Sequence, residues 1–215
     1  MSRASGNIPK LPRRVPMIVA NWKMHKTAPE SVKAARQIKR LLKGIRGGEI
    51  CIAPSFTAID AVGKEVSGSN LRLAAQNVHW AAEGGFTGEI SPVQLKRLGC
   101  RAVIIGHSER RHVFGETPAI IRKRVEGAVA HGLKVIFCIG ETLGERRSGA
   151  TAKVLRKQLD AGLSGIKKDD IKRIAVAYEP VWAIGTGHSA SSQQVRKAHL
   201  LIRRNLIRWF GLLRG

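Results

Sequence analysis

The chain has 215 residues, of which 43% are apolar, so it can bury the core of one domain or at most two. No apolar stretch approaches the roughly 18 residues that a membrane-spanning helix needs. Lysine and arginine total 38 against 15 acidic residues, a formal net charge of +23, which favours anionic partners. These basic residues occupy polar positions of predicted helices without an RNA- or DNA-binding motif, so we expect a solvated surface rather than a specific nucleic-acid site.

The amino end is basic and distinct from the rest of the chain. We assign residues 1–15 to a basic extension and residues 16–215 to one domain. The extension lacks the apolar core of a secretory signal, and an organelle transit peptide is the alternative. Cys51, Cys100 and Cys138 form no CxxC pair and lie in or beside apolar runs. We therefore expect small core residues in a reducing cytoplasm.

Short apolar runs alternate with amphipathic segments along the chain. The runs carry few charges and many β-branched residues, which predicts strands buried on both faces. Helical spacing predicts helices between them, one over residues 31–45 and a last one that is capped by Ser191 or Ser192 and ended by Gly211. Strict alternation predicts a parallel sheet, but periodicity does not decide between a barrel and an open sheet. The predicted strands are residues 17–20, 50–53, 71–75, 102–105, 135–139 and 174–177.

Polar clusters follow the strands directly, where catalytic groups gather in parallel α/β folds. Asn21 and Lys23 follow the first strand and, on an extended segment, would point to the same side. His107 follows the fourth strand, with Glu109 as a charge partner for Lys23 or an arginine. Glu179 ends the sixth strand. The alternatives are that Lys23 is a loop lysine in solvent and that His107 has a structural role.

The segment after Glu179 has the composition of a lid. Pro180 fixes the exit of the strand, and the apolar stretch that follows is interrupted by Gly185 and Gly187. Such a loop can close, exclude water and present backbone N–H groups to an anion, although a loop packed on the rim is the alternative. Residues 138–146 supply polar side chains without a catalytic assignment. Neither a nucleotide-binding glycine motif, nor metal-ligand spacing, nor a nucleophile elbow is present.

Six segments of the chain resemble signature segments of the triosephosphate isomerases, in the order and at the spacing of that family. The resemblance covers roughly residues 16 to 210. It implies an α/β fold, the (β/α)8 TIM barrel, of which about six βα units are present here. It also implies an intramolecular aldose–ketose isomerase that interconverts dihydroxyacetone phosphate and glyceraldehyde 3-phosphate through an enediolate. The segments are residues 21–25, 75–80, 86–91, 104–111, 138–145 and 178–187.

The resemblance also implies a role for each site residue. Glu179 would be the base that moves a proton between two carbons, neutral His107 would polarise the carbonyl, and Lys23 would supply positive charge to the oxyanion. It implies no cofactor and no metal. The remaining positions bind or support: Asn21 orients the substrate, Gly185 donates a lid N–H to phosphate, and Glu109 and Ser108 support the site. The implied lid consists of Pro180, Val181, Trp182, Ala183, Ile184, Gly185, Thr186 and Gly187.

Members of the family are homodimers, so the resemblance implies a second copy of the chain as partner. The loop at residues 79–90 would insert into that copy, with Thr87 reaching the other site. Glu89 is expected to pair with Arg110 near this loop. Triose phosphates are the implied small-molecule partners and the cytoplasm the implied location.

The chain departs from the family at its carboxyl end, because family members continue with two more strands and a phosphate-binding segment. We therefore expect a gap in the sheet between the first and sixth strands and reduced activity of the 215-residue form. A fragment is the simplest explanation, and a frameshift near Gly211 is the second. An alternative function is a noncatalytic basic relative that binds polyanions or an assembly partner. The four retained residues Asn21, Lys23, His107 and Glu179 favour the enzyme.

Overall fold

A computed structural model describes residues 15–187 and 189–211, and these form a six-stranded parallel sheet covered by helices. Residues 1–14 of the expected extension lie outside the described residues. Each strand is hydrogen-bonded to the next in chain order. All six predicted strands are confirmed, to within two residues at each end. The strands are β1 (Met17–Asn21), β2 (Glu49–Ala53), β3 (Leu71–Ala75), β4 (Cys100–Ile105), β5 (Lys134–Ile139) and β6 (Ile174–Tyr178).

At least one helix follows every strand. The first helix begins earlier than predicted because Thr27 and Glu30 form a capping box, and it ends at Leu41, which leaves Ile45 outside it. Three short 3₁₀ turns, Phe56–Ala58, Ile171–Arg173 and Val181–Ala183, complete the connections. The helices of the described residues are α1 (Ala28–Leu41), α2 (Ile59–Val66), α3 (Pro92–Arg97), α4 (Ser108–His112), α5 (Pro118–Ala130), α6 (Leu143–Arg147), α7 (Thr151–Leu163) and α8 (Ser192–Phe210).

Two ion pairs show that the sheet is curled. Lys23, after β1, contacts Glu109, after β4, at 2.8 Å, and Glu49 of β2 pairs with Lys134 of β5. Neighbouring strands lie about 4.8 Å apart, so strands three positions apart would be separated by about 14 Å in a flat sheet. The sheet therefore bends round on itself at both ends of its strands. This curvature shows that the sheet is barrel-like and is not an open, flat sheet.

The core has two layers, as a curled sheet with outer helices requires. The larger layer lies between the sheet and the helices and includes Leu73, Phe137 and Leu155. The smaller layer fills the concave side of the sheet and contains Ile104 and Ile136 together with small residues. Cys51 and Cys138 belong to the inner layer and Cys100 to the outer one. All three are buried free thiols, in agreement with their expected role as core residues.

Strands β1 and β6 are the edge strands of the sheet, and no hydrogen-bonded pairing joins them within the described residues. Ile18 of β1 is 62% exposed, so the expectation that every strand is buried on both faces is wrong at this edge. The reason is that no described helix covers the outer side of β1 there. The described residues thus form six βα units in the arrangement of a TIM barrel. None of their helices is both long and apolar enough to cross a bilayer.

Candidate active site

The polar residues singled out in the sequence meet at the carboxyl ends of the strands. His107 follows β4 and caps α4, and its ring is mostly buried. Its Nε2 lies 3.3 Å from Oε1 of Glu179, at the end of β6. The Nδ1 atom accepts the backbone N–H of Glu109 at 3.3 Å. Because that amide hydrogen needs a lone pair on Nδ1, the ring proton of a neutral His107 is assigned to Nε2, which faces the carboxylate.

Glu179 is held from two sides. The backbone N–H of Ser108 donates to its Oε2 at 3.0 Å, while Oε1 faces His107. The thiol of Cys138 lies next to the carboxylate of Glu179. Burial raises the pKa of the thiol well above its usual range, and the charge of Glu179 adds to the effect. Cys138 is therefore a neutral neighbour of this side chain.

Lys23 reaches the same edge of the sheet by a turn. Its Nζ lies 2.8 Å from Oε1 of Glu109, so the expected charge pair is present. Its backbone is left-handed, with φ at 53°, and its N–H donates to Oδ1 of Asn21 at 3.0 Å. The extended geometry expected for residues 21–23 is therefore wrong at Lys23, because the chain turns after β1. A left-handed lysine is uncommon, and such strain concentrates at functional sites.

Arg111 braces the site, and sequence reasoning gave it no role. It lies four residues after His107, and its side chain donates to the carbonyl oxygens of Gly106 at 2.7 Å and Cys138 at 2.9 Å. Burial lowers the pKa of its guanidinium. These bonds tie the end of β4 to the end of β5. The available signal was the spacing of four residues, which places Arg111 on the same helical face as His107.

The segment after Glu179 is anchored by a buried carboxylate. The side chain of Glu141 is fully buried, and its Oε1 accepts bonds from Tyr178 at 3.0 Å, Trp182 at 3.1 Å and Arg146 at 3.0 Å. The guanidinium of Arg146 also lies 4.4 Å from the Trp182 ring centroid. Glu141 belongs to the cluster that had no assignment from sequence. Its position shows that it holds the amino-terminal end of the expected lid.

The rest of that segment is progressively more exposed. Pro180 precedes the 3₁₀ turn Val181–Ala183, and Ile184 is half-buried. Gly185, Thr186 and Gly187 are exposed, and both glycines have positive φ. A β-carbon on Gly185 would meet open space, so this part of the segment lies free of the barrel rim.

The loop at residues 79–90 stands out from the third βα unit, with Thr87 exposed. The expected pair of Glu89 with Arg110 is wrong. Glu89 accepts two bonds of 2.9 Å from the buried Arg124 of α5, whereas Arg110 binds Glu116 at 2.7 Å. The forked guanidinium of Arg124 matches both oxygens of Glu89, which explains the preference.

The curled sheet of βα units, with its ionisable side chains gathered at the carboxyl ends of the strands, is the architecture of a TIM-barrel enzyme. The sequence model of the family "Triosephosphate isomerase" matches residues 16–211. The chain belongs to the triosephosphate isomerase family.

Individual relatives agree with the family match. The triosephosphate isomerase of Pelobacter propionicus is 50% identical over 194 residues, which cover 90% of this chain and 77% of that protein. The enzyme of Chlorobium phaeobacteroides is 50% identical over 199 residues, covering 92% and 79%. That of Geotalea uraniireducens is 46% identical over 190 residues, covering 88% and 76%. The matched region therefore spans about three quarters of each relative.

Proposed function

We propose that this chain interconverts dihydroxyacetone phosphate and glyceraldehyde 3-phosphate, with His107, Glu179 and Lys23 as its catalytic residues. The observation that carries the proposal is the approach of His107 Nε2 to Glu179 Oε1 at 3.3 Å, beside the ammonium of Lys23. A base, a neutral hydrogen-bond donor and a cation on one edge of a sheet are the groups that an enediolate reaction requires.

Glu179 takes a proton from the carbon next to the carbonyl, and the electron pair of that C–H bond moves onto the carbonyl oxygen. His107 shuttles a proton from the hydroxyl oxygen to the former carbonyl oxygen, and return of the abstracted proton to the neighbouring carbon completes the isomerisation, so no external electron acceptor is consumed. The substrate carbonyl is the electron sink, and the proposal needs neither a cofactor nor a metal. The bond from Ser108 supports the carboxylate at the end of a rigid strand, which favours accurate positioning.

His107 polarises the carbonyl through its Nε2 proton. A neutral imidazole in this role is the established pattern of the family rather than a deduction from this chain. The bond that Nδ1 accepts from the Glu109 amide supports the required tautomer. The positive charge of Lys23 stabilises the oxygen on which negative charge develops, and its pair with Glu109 holds it in place without substrate. Asn21 orients the substrate from the same turn.

The segment at residues 180–187 acts as the lid. Its first half is anchored through Trp182 to Glu141, and its second half carries Gly185 and Gly187 in exposed, left-handed conformations. Closure over bound substrate would exclude water and bring the N–H of Gly185 to the phosphate.

A homodimer and a cytoplasmic location belong to the same proposal. The exposed Thr87 and the anchoring of its loop by Arg124 suit a loop that enters a second subunit. Three buried free thiols suit a reducing compartment.

The test of the proposal is Glu179→Gln, which keeps the size of the side chain and removes the base. Proton abstraction is followed directly, by NMR of deuterium uptake into dihydroxyacetone phosphate in D2O, together with a coupled assay of turnover. We expect both rates to fall about 10²- to 10⁴-fold. Binding of glycerol 3-phosphate, which has no carbonyl, should change little. Glu126→Gln, at a partly exposed position of α5, is the control, and near-normal exchange in Glu179→Gln would rule out the assigned base.

A further inference from the structure

The opposite end of the barrel carries a second concentration of charge. A concavity of about 470 Å³ opens at the amino ends of the strands. Its volume lies within the range of small-molecule sites. Five cationic side chains and one carboxylate line it. They are Arg72 of β3, Arg101 of β4, Lys134 of β5, Lys172 and Arg173 of the turn before β6, and Glu49 of β2.

The charges in this concavity do not balance. Glu49 pairs with Lys134, and this is the one ion pair recorded for these six side chains among the described residues. The other four cations are exposed and have no carboxylate partner there. Four like charges around one hollow repel one another, and a bound anion would relieve that repulsion. Part of the general surface charge inferred from the sequence therefore lies around this hollow.

Arg72 of β3 pairs in register with Cys51 of β2, a residue of the inner core layer, which places Arg72 on the inner face of the sheet. Burial raises the pKa of the Cys51 thiol, in the inner core layer, to about 11, and Glu49 adds to this effect. The charges of Lys134 and Arg72 act on the same thiol in the opposite direction. Both cations therefore lie close to the inner face of β2.

A bulge in the sheet brings Arg101 to the same hollow. Leu73 of β3 pairs with Cys100 of β4, but Ala74 pairs with Ala102, so Arg101 is the extra residue. Cys100 belongs to the outer core layer and Ala102 to the inner one. Bulges commonly re-aim a side chain at a functional position. Here the extra residue is an exposed arginine that lines the concavity.

We propose that this hollow, the amino-edge basic site, binds a small ligand that carries two or more phosphate groups. Arg72 and Arg101 supply two planar forks, each suited to a pair of phosphate oxygens, while Lys172 and Arg173 add charge from the rim. The cations surround one open hollow rather than lining an extended stripe, which favours a compact anion over a nucleic-acid backbone.

The site is separate from the isomerase centre, and its assignment does not depend on that reaction. Strands of five or six residues span about 17–20 Å, and the two sites lie at their opposite ends.

Inorganic triphosphate is the probe, and isothermal titration calorimetry of the whole chain is the measurement. We expect one triphosphate per chain. The double variant Arg72→Gln/Arg101→Gln should weaken binding about tenfold or more, because it removes two charge-assisted contacts. The matched control Arg147→Gln/Arg156→Gln removes the same charge at exposed helical positions outside the hollow and should change affinity less than about twofold. Because Arg72 and Arg101 are exposed, thermal unfolding of the double variant should match that of the parent.

Four results would overturn the proposal. Equal weakening of triphosphate binding in both double variants would mean that the affinity depends only on the net charge of the protein. Weakening by Lys23→Met, with none from Arg72→Gln/Arg101→Gln, would place the anion at the carboxyl ends of the strands. A single-stranded oligonucleotide that binds more tightly than triphosphate and depends on Arg72 and Arg101 would identify a nucleic-acid surface instead. Absence of any triphosphate binding by the parent protein would also refute it.

Discussion

A β-carbon on Gly140 would overlap the carbonyl oxygen of Glu179, so the chain after β5 and the end of β6 meet with no room for a side chain between them. The N–H of Glu179 donates to the carbonyl of Ile139 at 2.8 Å, which extends the strand pairing to this point. The position of the proposed base is therefore set by a backbone contact with its neighbouring strand. A residue at position 140 larger than glycine must move Glu179.

Gly140→Ala is accordingly expected to lower kcat by about tenfold to a hundredfold, because displacements near 1 Å have effects of that size. It should also destabilise the fold. Gly144→Ala is the matched control, since a β-carbon there would meet open space and alanine is the better helix former. Turnover and urea unfolding measured on both variants check the prediction. Activity of Gly140→Ala within twofold of the parent would contradict it.

Glu141→Gln should reduce the free energy of unfolding by about 2 kcal/mol or more. The amide keeps one oxygen for Tyr178 and Trp182 but removes the charge that pairs with Arg146, whose side chain is largely buried. The comparison is Glu126→Gln, which removes an exposed pair with Arg122 at 3.8 Å and should cost less than about 0.5 kcal/mol. Urea unfolding gives both values, and equal losses would show that the buried pair has no special role.

The chain contains a single tyrosine, Tyr178, which makes its ionisation directly measurable by absorbance at 295 nm. Burial raises the pKa of Tyr178 to about 12, and the neighbouring Glu141 charge adds to the effect. A phenol with a raised pKa stabilises the fold below its unfolded pKa of about 10, and this contribution is lost as pH rises toward the folded value.

At pH 10.5 we therefore expect little tyrosinate in the folded protein and more than half in urea-unfolded protein. Glu141→Gln should lower the folded pKa of Tyr178, whereas the exposed Glu126→Gln should leave it unchanged. A folded titration midpoint near 10 would be incompatible with the buried contact of Tyr178 with Glu141.

The pair of Glu89 with Arg124, which anchors the loop at residues 79–90, should lose its contribution to stability at acid pH. Hydrogen bonds from Arg124 hold the pKa of Glu89 below its usual value. Such a carboxylate stabilises the fold above its unfolded pKa of about 4.3, and this stabilisation disappears as pH falls through the folded pKa. Glu89→Gln should thus weaken the protein at pH 7 and flatten the decline of stability between pH 5 and pH 3.

Urea unfolding across that pH range measures the effect. Glu83→Gln is the control, because Glu83 is exposed in the same loop and makes no ion pair among the described residues. A decline of equal steepness in Glu89→Gln and the parent would contradict the assigned pair with Arg124.

Local sequence was sufficient to predict the six strands and the bounds of the last helix. The six strands were identifiable because continuous apolar runs are typical of parallel strands covered on both sides. Ser191 caps α8 and Gly211 ends it with a left-handed φ of 63°, as their types indicate. Lys23, His107 and Glu179 could be predicted to lie together because each follows or ends a strand, and the carboxyl ends of parallel strands meet at one edge of the sheet. Each of these inferences uses neighbours in sequence or a general property of parallel sheets.

Only the tertiary structure decided which distant side chains meet. Glu141 is 41 residues from Trp182, Glu89 is 35 from Arg124, and no pattern in the sequence encodes either pairing. The bulge that re-aims Arg101 and the turn that makes Lys23 left-handed likewise depend on the register and curvature of the curled sheet. Such contacts depend on how the strands curl and on which partner offers the better hydrogen-bond geometry, and both are properties of the folded chain.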